Sequence, residues 1–387
     1  MAVKPLDLKN LKSGMADMYE NVCFIAPDYN CCVEKVVGEL GTWSKHHKMS
    51  FSLGMEEDPK AIIGMMPDHV IYFRVGTKPG VPLQQLAMTA AHIPYFKGLG
   101  LRVGYYIDDL LFDVNNQAPL KIMAECDYII VATPALGEWL IDNTEFAATI
   151  PIYQLYTHMD FLAVDSCAKP TYLVTPGKRY ILFPSQGRIG ALEYYGILER
   201  MNQNPEKYKD VTMISVSHQA AQIRTLINRF RNVRKMYYEF MPSIEFYGLC
   251  KLVDIIVAPG IPGDLEYFVP EGNMRQLWLD CKSPVKYTLA GAASVPIISA
   301  PLREYAACIE HGKTGYIANS IDEWMQYIDL LLENPDLRKE IGTAARKDIE
   351  KNFDPYNRVK ELYDILHQDQ RLRLKYAKKV SDVHSQL

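Results

Sequence analysis

Short apolar runs, each bounded by Gly, Pro or Asp, alternate with helix-length segments through almost the whole chain, and few folds accept that rhythm. The first half offers NVCFIAP at 21–27, HVIYFRV at 69–75, LRVGYYI at 101–107 and CDYIIVAT at 126–133. These runs are rich in β-branched and aromatic residues, the pattern of strands buried on both faces of a parallel sheet. Helices are predicted between or after them, over Cys31–Trp43, Leu83–Leu99, Gln117–Glu125 and Ala135–Asp142. A second series follows the polar stretch Asp165–Lys169. Its strands are expected at 180–185, 211–216, near Ser243–Tyr247, at 254–259 and at 295–300. Its helices are expected near Ala191–Gln203, Ala220–Asn232, Val285–Ala293, Ile321–Glu333 and Pro335–Asn352. Strand–helix alternation of this kind builds doubly wound sheets. The expected fold is therefore α/β, with two tandem Rossmann-like domains over 1–165 and 166–354 and a linker near 160–178. A C-terminal helix and tail fill 355–387, with one helical pattern running over Pro355–Val380.

The chain's 387 residues suffice for two domains of ordinary size. A net charge of −4 and a pI near 6.2 argue against a general polyanion binder. Eight Cys occur with no CxxC pair, which fits reduced thiols in a cytoplasm better than a disulfide framework or a zinc site. The first residues, MAVKPLDLKNLKSG, carry no apolar core and do not read as a signal peptide. No apolar run reaches the ~18–20 residues that span a bilayer. The expected location is cytoplasmic, with peripheral attachment to a membrane left open.

The segment 282–316, KSPVKYTLAGAASVPIISAPLREYAACIEHGKTGY, reads as a buried helix, a buried strand and a Gly-punctuated loop. Open α/β sheets place ligands at such strand ends. Lys282, Ser283, Lys286, Tyr287, the run Val295-Pro296-Ile297-Ile298 and the loop Glu310-His311-Gly312-Lys313-Thr314-Gly315 resemble, in order, the donor-sugar half of GT-B glycosyltransferases, especially the large retaining family 4. The resemblance implies a C-terminal helix that crosses back to the first domain, a nucleotide-sugar donor on the second domain, and no obligatory metal or other cofactor. It gives Gly187 and Arg188 of YILFPSQGRIG, with Lys282, Ser283, Lys286 and Tyr287, to donor binding, and treats Glu310–Gly315 as a structural turn. Arg suits forked contact with a leaving pyrophosphate, and Lys286 lies where a helix start favours anions. Lys282 and Lys286 have the i,i+4 spacing of one helix side. The family also carries a Glu-x7-Glu pair. Counting back from Pro296 puts Leu289 and Cys281 at those places, and Asp280 is the nearest substitute for the first carboxylate.

In the first domain, GYYIDDLLFDV at 104–114 ends a strand with two carboxylates, Asp108 and Asp109. It resembles a Y-D-I-D-D-L-L-F segment of one family 4 branch. Two readings stand: contact with an acceptor hydroxyl or acid–base work, and capping of the next helix. His158 and Asp160 fall where the family has a hinge turn, which makes His158 a catalytic candidate beside its commoner structural role. Two basic clusters, at 224–235 and 371–379, are either solvated helix faces or a surface for nucleic acid, a charged glycan or an anionic membrane.

The expected function is transfer of a sugar from a nucleotide sugar to an acceptor with retention, the acceptor being a glycan. The alternatives are glycosylation of a modified base in viral DNA, a catalytically degraded nucleotide- or glycan-binding protein, and a sugar-nucleotide epimerase or hydrolase.

Overall fold

The computed structural model describes residues 20–27, 34–55, 59–76, 83–110, 117–184, 196–216, 229–238, 241–260 and 278–367. The chain divides into two units, one of residues 1–156 with 355–387 and one of residues 157–354.

The first unit is built on a six-stranded parallel sheet in the order β2-β1-β3-β4-β5-β6. The strands are β1 (Glu20–Ala26), β2 (Met49–Met55), β3 (His69–Phe73), β4 (Arg102–Ile107), β5 (Tyr128–Val131) and β6 (Ile152–Gln154). All of HVIYF in β3 and YIIV in β5 is buried, as continuous apolar runs require. Asp68 and Asp127 set strand register at the amino edge. Each accepts from the backbone N–H of a neighbouring strand, Asn21 or Val103, at 2.8 Å, while its own N–H donates to that residue's carbonyl at 2.7 Å. The helices are α1 (Leu40–Ser44), α2 (Pro59–Gly64), α3 (Leu83–Gly98), α4 (Ala118–Ala124) and α5 (Pro134–Asn143).

The second unit repeats the plan with β7 (Arg179–Phe183), β8 (Val211–Val216), β9 (Arg234–Tyr238), β10 (Ile255–Ala258), β11 (Ile297–Ser299) and β12 (Tyr316–Ile317). Their order, β12-β11-β10-β7-β8-β9, is the doubly wound Rossmann arrangement. The register device recurs: Asp254 accepts from Tyr180 N–H at 2.7 Å. Its helices are α6 (Phe161–Ser166), α7 (Ile197–Gln203), α8 (Ser243–Cys250), α9 (Val285–Ala292), α10 (Arg303–Cys308), α11 (Ile321–Glu333) and α12 (Pro335–Asn352). The small residues of α9 have a packing reason. A Cβ on Gly342 of α12 would lie 2.1 Å from the Ser294 carbonyl, and one on Gly291 2.2 Å from Ile349 Cγ1. Only glycine lets the two helices approach this closely.

The last described helix, α13 (Pro355–His367), belongs to the first unit. Val359, Leu362, Ile365 and Leu366 form one stripe and pack with Phe24, Ile71, Phe73, Tyr106 and Tyr128. The helix expected to cross back to the first domain does so. The rest of the tail, 368–387, lies outside the described residues.

Two local expectations need correction, and one strand was not expected. Ser243–Tyr247 is not a strand but the start of α8, launched by Pro242 with φ −54°. The strand of that region is β9, in the short gap after Asn232. The polar stretch at 160–178 is not a plain linker either. It contains α6, which Asp160 caps through Ala163 N–H at 3.0 Å and Lys251 closes by donating to the carbonyls of Val164, Asp165 and Cys167. Strand β2, MSFSLGM, went unpredicted although it alternates by residue as an edge strand should.

Candidate functional site

Each sheet reverses its strand order once, between β1 and β3 in the first unit and between β7 and β10 in the second. The carboxyl ends of those strand pairs are where open α/β sheets form a crevice. The expected site residues after β7, Gly187 and Arg188, are in the right sequence position for it but lie outside the described residues, as does Gly190.

The described part of the second edge is made by the ends of β10 and β11 and the starts of α9 and α10. Ser299, fully buried, lies 3.4 Å from the Ala258 carbonyl at the end of β10 and 3.0 Å from that of Ala300 beside it. Pro259 and Gly260 turn closely past α10, where a Cβ on Gly260 would meet Leu302 at 2.8 Å. Tyr305 of α10 accepts the Lys286 backbone N–H at 3.4 Å, which sets the starts of the two helices side by side. Around the start of α9 stand Asp280, Lys282, Ser283 and Lys286, each partly exposed. The Lys282 ammonium sits 3.7 Å from the centroid of the Trp278 ring, a cation–π contact that fixes a charge beside the helix start. The Ser283 hydroxyl oxygen is buried and has no hydrogen-bond partner among the described residues. An unmet buried hydroxyl costs about 1–3 kcal/mol, so a ligand oxygen in reach of it gains that much. At the start of α9 the Val285 N–H already donates to the Ser283 carbonyl at 2.8 Å and the Lys286 N–H to Tyr305, so the helix contributes its positive dipole end there.

Several expectations change on this geometry. Lys282 and Lys286 do not share a helix face, because α9 begins only at Val285. Tyr287, expected at the donor, is turned into the core. Its ring is fully buried, edge-on to Phe353 at 6.0 Å, and its hydroxyl donates to Asp348 Oδ2 at 2.6 Å. Burial, then the Asp348 bond, push its phenol well above the usual range. Cys281 and Leu289 are buried core residues. The Glu310–Gly315 loop is held by its own bonds: Gly312 N–H to Gly315 O at 2.8 Å and Glu310 N–H to Thr314 Oγ1 at 2.9 Å. Gly312 takes φ 77°, the conformation that calls for glycine.

On the first sheet, Asp108 and Asp109 follow β4 directly, at its carboxyl end, beside the reversal point. Arg74, the residue after β3, meets both: its Nε is 2.5 Å from Asp108 Oδ1 and its Nη2 4.0 Å from Asp109 Oδ2. Asp109 Oδ1 also accepts from Leu110 N–H at 2.9 Å. All three side chains are more than three-quarters buried. Arg74 was missed in the sequence, although an Arg closing an apolar strand is the signal that marks it. A second residue not singled out is Glu304, 3% exposed in the first turn of α10. His158 is buried in the second unit, in the loop before α6 where Met159 N–H donates to Phe353 O at 3.0 Å and Asp160 is the helix cap.

Of the basic clusters, 371–379 and 224–228 lie outside the described residues. Arg229, Arg231 and Arg234 are exposed. Lys235 is not a surface cation: its Nζ donates to the carbonyls of Val233, at 2.9 Å, and Phe230, and burial lowers its pKa.

Two doubly wound parallel sheets closed by a returning C-terminal helix are the GT-B fold of glycosyltransferases, and the comparisons agree. A glycosyltransferase from Rickettsia africae superposes with a TM-score of 0.62 at 14% identity, over 90% of this chain and 97% of that one. HepE from Anabaena, solved with UDP-glucose, gives 0.61 at 12%, over 90% and 99%. A family model described as glycosyl transferase-like matches residues 281–364, the segment that holds α9, β11 and the Gly312 turn. Spore coat protein SA of Bacillus subtilis is 26% identical over 181 residues, which cover 46% of this chain and 45% of that protein. The chain thus matches less than half the length of that relative. Among the described residues, no helix is long and apolar enough to cross a membrane.

Proposed function

We propose that the chain is a glycosyltransferase that binds a nucleotide sugar at the carboxyl edge of the second sheet and transfers the sugar, with retention, to a glycan hydroxyl. The observation that carries this reading is the start of α9. There a fixed Lys282 ammonium, Lys286, an unmet Ser283 hydroxyl and a helix N-terminus meet beside the strand ends. These groups are donors and cations with a single carboxylate, Asp280, among them, which suits a diphosphate. HepE of Anabaena, whose fold the chain shares, was solved holding a nucleotide sugar.

In this reading the chemistry is loss of a nucleoside diphosphate through an oxocarbenium-like state. Negative charge grows on the pyrophosphate as the glycosidic bond breaks, and groups already aimed at it lower the barrier. Lys286 and Arg188 stabilise that charge, Ser283 donates to a phosphate oxygen, and Lys282 adds long-range attraction. Asp108 and Asp109, paired with Arg74, are the first unit's candidates for accepting hydrogen bonds from the acceptor's hydroxyls.

One observation favours a second reading. The places of the family's two carboxylates hold Cys281 and Leu289, both buried. A protein that keeps nucleotide-sugar binding without turnover fits that loss. Incubation with UDP- and GDP-sugars, followed by analysis of nucleotide and sugar products, separates the two. Release of nucleoside diphosphate with transfer or hydrolysis supports the enzyme. Saturable binding with no product supports the second reading, and neither binding nor product refutes both.

A further inference from the structure

The end of α13 meets the amino edge of the first sheet through a carboxylate held between two histidines. Glu20 opens β1. Its Oε1 lies 2.7 Å from Nε2 of His69, the first residue of β3, and its Oε2 2.7 Å from Nε2 of His367, the last residue of α13. The other ring nitrogen of His367, Nδ1, is 2.8 Å from the Tyr363 carbonyl. A carbonyl only accepts, so Nδ1 carries a proton. Burial works to raise the Glu20 carboxyl, but the His69 hydrogen bond and the charge of His367 outweigh it and hold it below the usual carboxylate range. An ionised carboxylate also only accepts, so Nε2 of His367 carries a proton too. With both nitrogens donating, the ring is an imidazolium.

His69 is different. Its Nε2 donates to Glu20, while its Nδ1 is buried with no hydrogen-bond partner among the described residues. A bare lone pair there costs less than a buried charged N–H, so His69 is neutral. The cluster therefore carries one negative and one positive charge, and only His367 supplies the positive one.

The surroundings fit that assignment. His367 ends a 13-residue helix, where the dipole favours a cation. Tyr363 stacks on its ring at 3.8 Å. Arg102 of β4 donates to the Leu366 carbonyl at 2.6 Å and lies over the Tyr128 ring of β5. Asp68, the other nearby acid, is bound to Asn21 N–H, and Asp364 of α13 pairs with Lys360.

We propose that Glu20 and His367, oriented by His69, form a proton-dependent latch that fastens the last turn of α13 to the first sheet. When His367 becomes neutral it keeps one ring proton for two acceptors, so the charge attraction to Glu20 is lost together with one of the two hydrogen bonds. The latch is closed while the imidazolium persists and opens when that ring gives up its charge. It opens again in acid, because the contribution of a carboxylate with a lowered pKa is lost as pH falls through its folded value. The device is independent of the nucleotide-sugar reading and operates at the opposite sheet edge.

Hydrogen exchange of the full chain tests it, with protection factors corrected for intrinsic rate. Between about pH 6 and about pH 8.5, protection in the last turn of α13 should fall about tenfold while β5 at 128–131 stays constant. His367→Gln should remove that pH dependence, and His69→Gln, which still donates to Glu20, should keep it. Ring 15N shifts of the wild-type chain give a reading that needs no variant: both His367 nitrogens should be protonated at about pH 6. Equal protection at both pH values, pH dependence that survives His367→Gln, or a neutral His367 ring at the lower pH would each overturn the latch.

Discussion

Arg74 Nε lies 2.5 Å from Asp108 Oδ1, across the carboxyl ends of β3 and β4, and reaches it from a left-handed backbone with φ 55°. A non-glycine residue held there costs on the order of 1 kcal/mol, which the ion pair must offset. Arg74→Ala removes the counter-charge from two mostly buried carboxylates. It should destabilise the first unit by about 2 kcal/mol, a fall of several degrees in melting temperature. Asp108→Asn should lose less, because Arg74 keeps its ion pair with Asp109. Thermal melts of both variants check the order.

Tyr287→Phe separates a packing role from a ligand role. Loss of the hydroxyl leaves Asp348 Oδ2 without that donor and should cost about 1–2 kcal/mol. Nucleotide affinity should stay as in the parent chain. A tenfold loss of affinity with unchanged stability would return Tyr287 to the donor site.

Leu289→Glu restores a carboxylate that the family resemblance expects, but into a position 4% exposed. An unpaired charge there should cost about 3 kcal/mol or more. A large drop in melting temperature with no gain in UDP affinity is expected. Tighter UDP binding in a stable variant would show that the helix can present this side chain to the nucleotide.

Gly342→Ala tests the close approach of α9 and α12. The added methyl would lie 2.1 Å from the Ser294 carbonyl, so backbone must move. Denaturant unfolding should show a loss of roughly 1–3 kcal/mol, the range for overpacking a tight contact. Because Ser294 follows α9, UDP affinity should weaken with it.

What the sequence made legible follows from how local each signal was. Runs such as HVIYF and YIIV announce buried parallel strands by composition alone, and with them the two sheets. Edge strands β2 and β12 are short or half polar and give no such signal, and Ser243–Tyr247 has neither a period of two nor one of 3.6. Lys286 and Ser283 lie at the start of α9, beside the strand ends. Tyr287 has the motif's identity but points into the core, because the residue next to Lys286 on a helix is turned about 100° away from it. Arg74 carries only a faint local signal, because its partner Asp108 comes from the next strand, 34 residues distant.

The central claim is that the start of α9 holds the diphosphate of a nucleotide sugar. Calorimetric titration of UDP and GDP into the full chain, beside Lys286→Ala and Ser283→Ala, tests it most directly. The account predicts saturable binding of at least one nucleotide, weakened about tenfold or more by Lys286→Ala and less by Ser283→Ala, with melting temperatures unchanged. Binding that is equally tight in all three proteins, or absent from the parent chain, would contradict it.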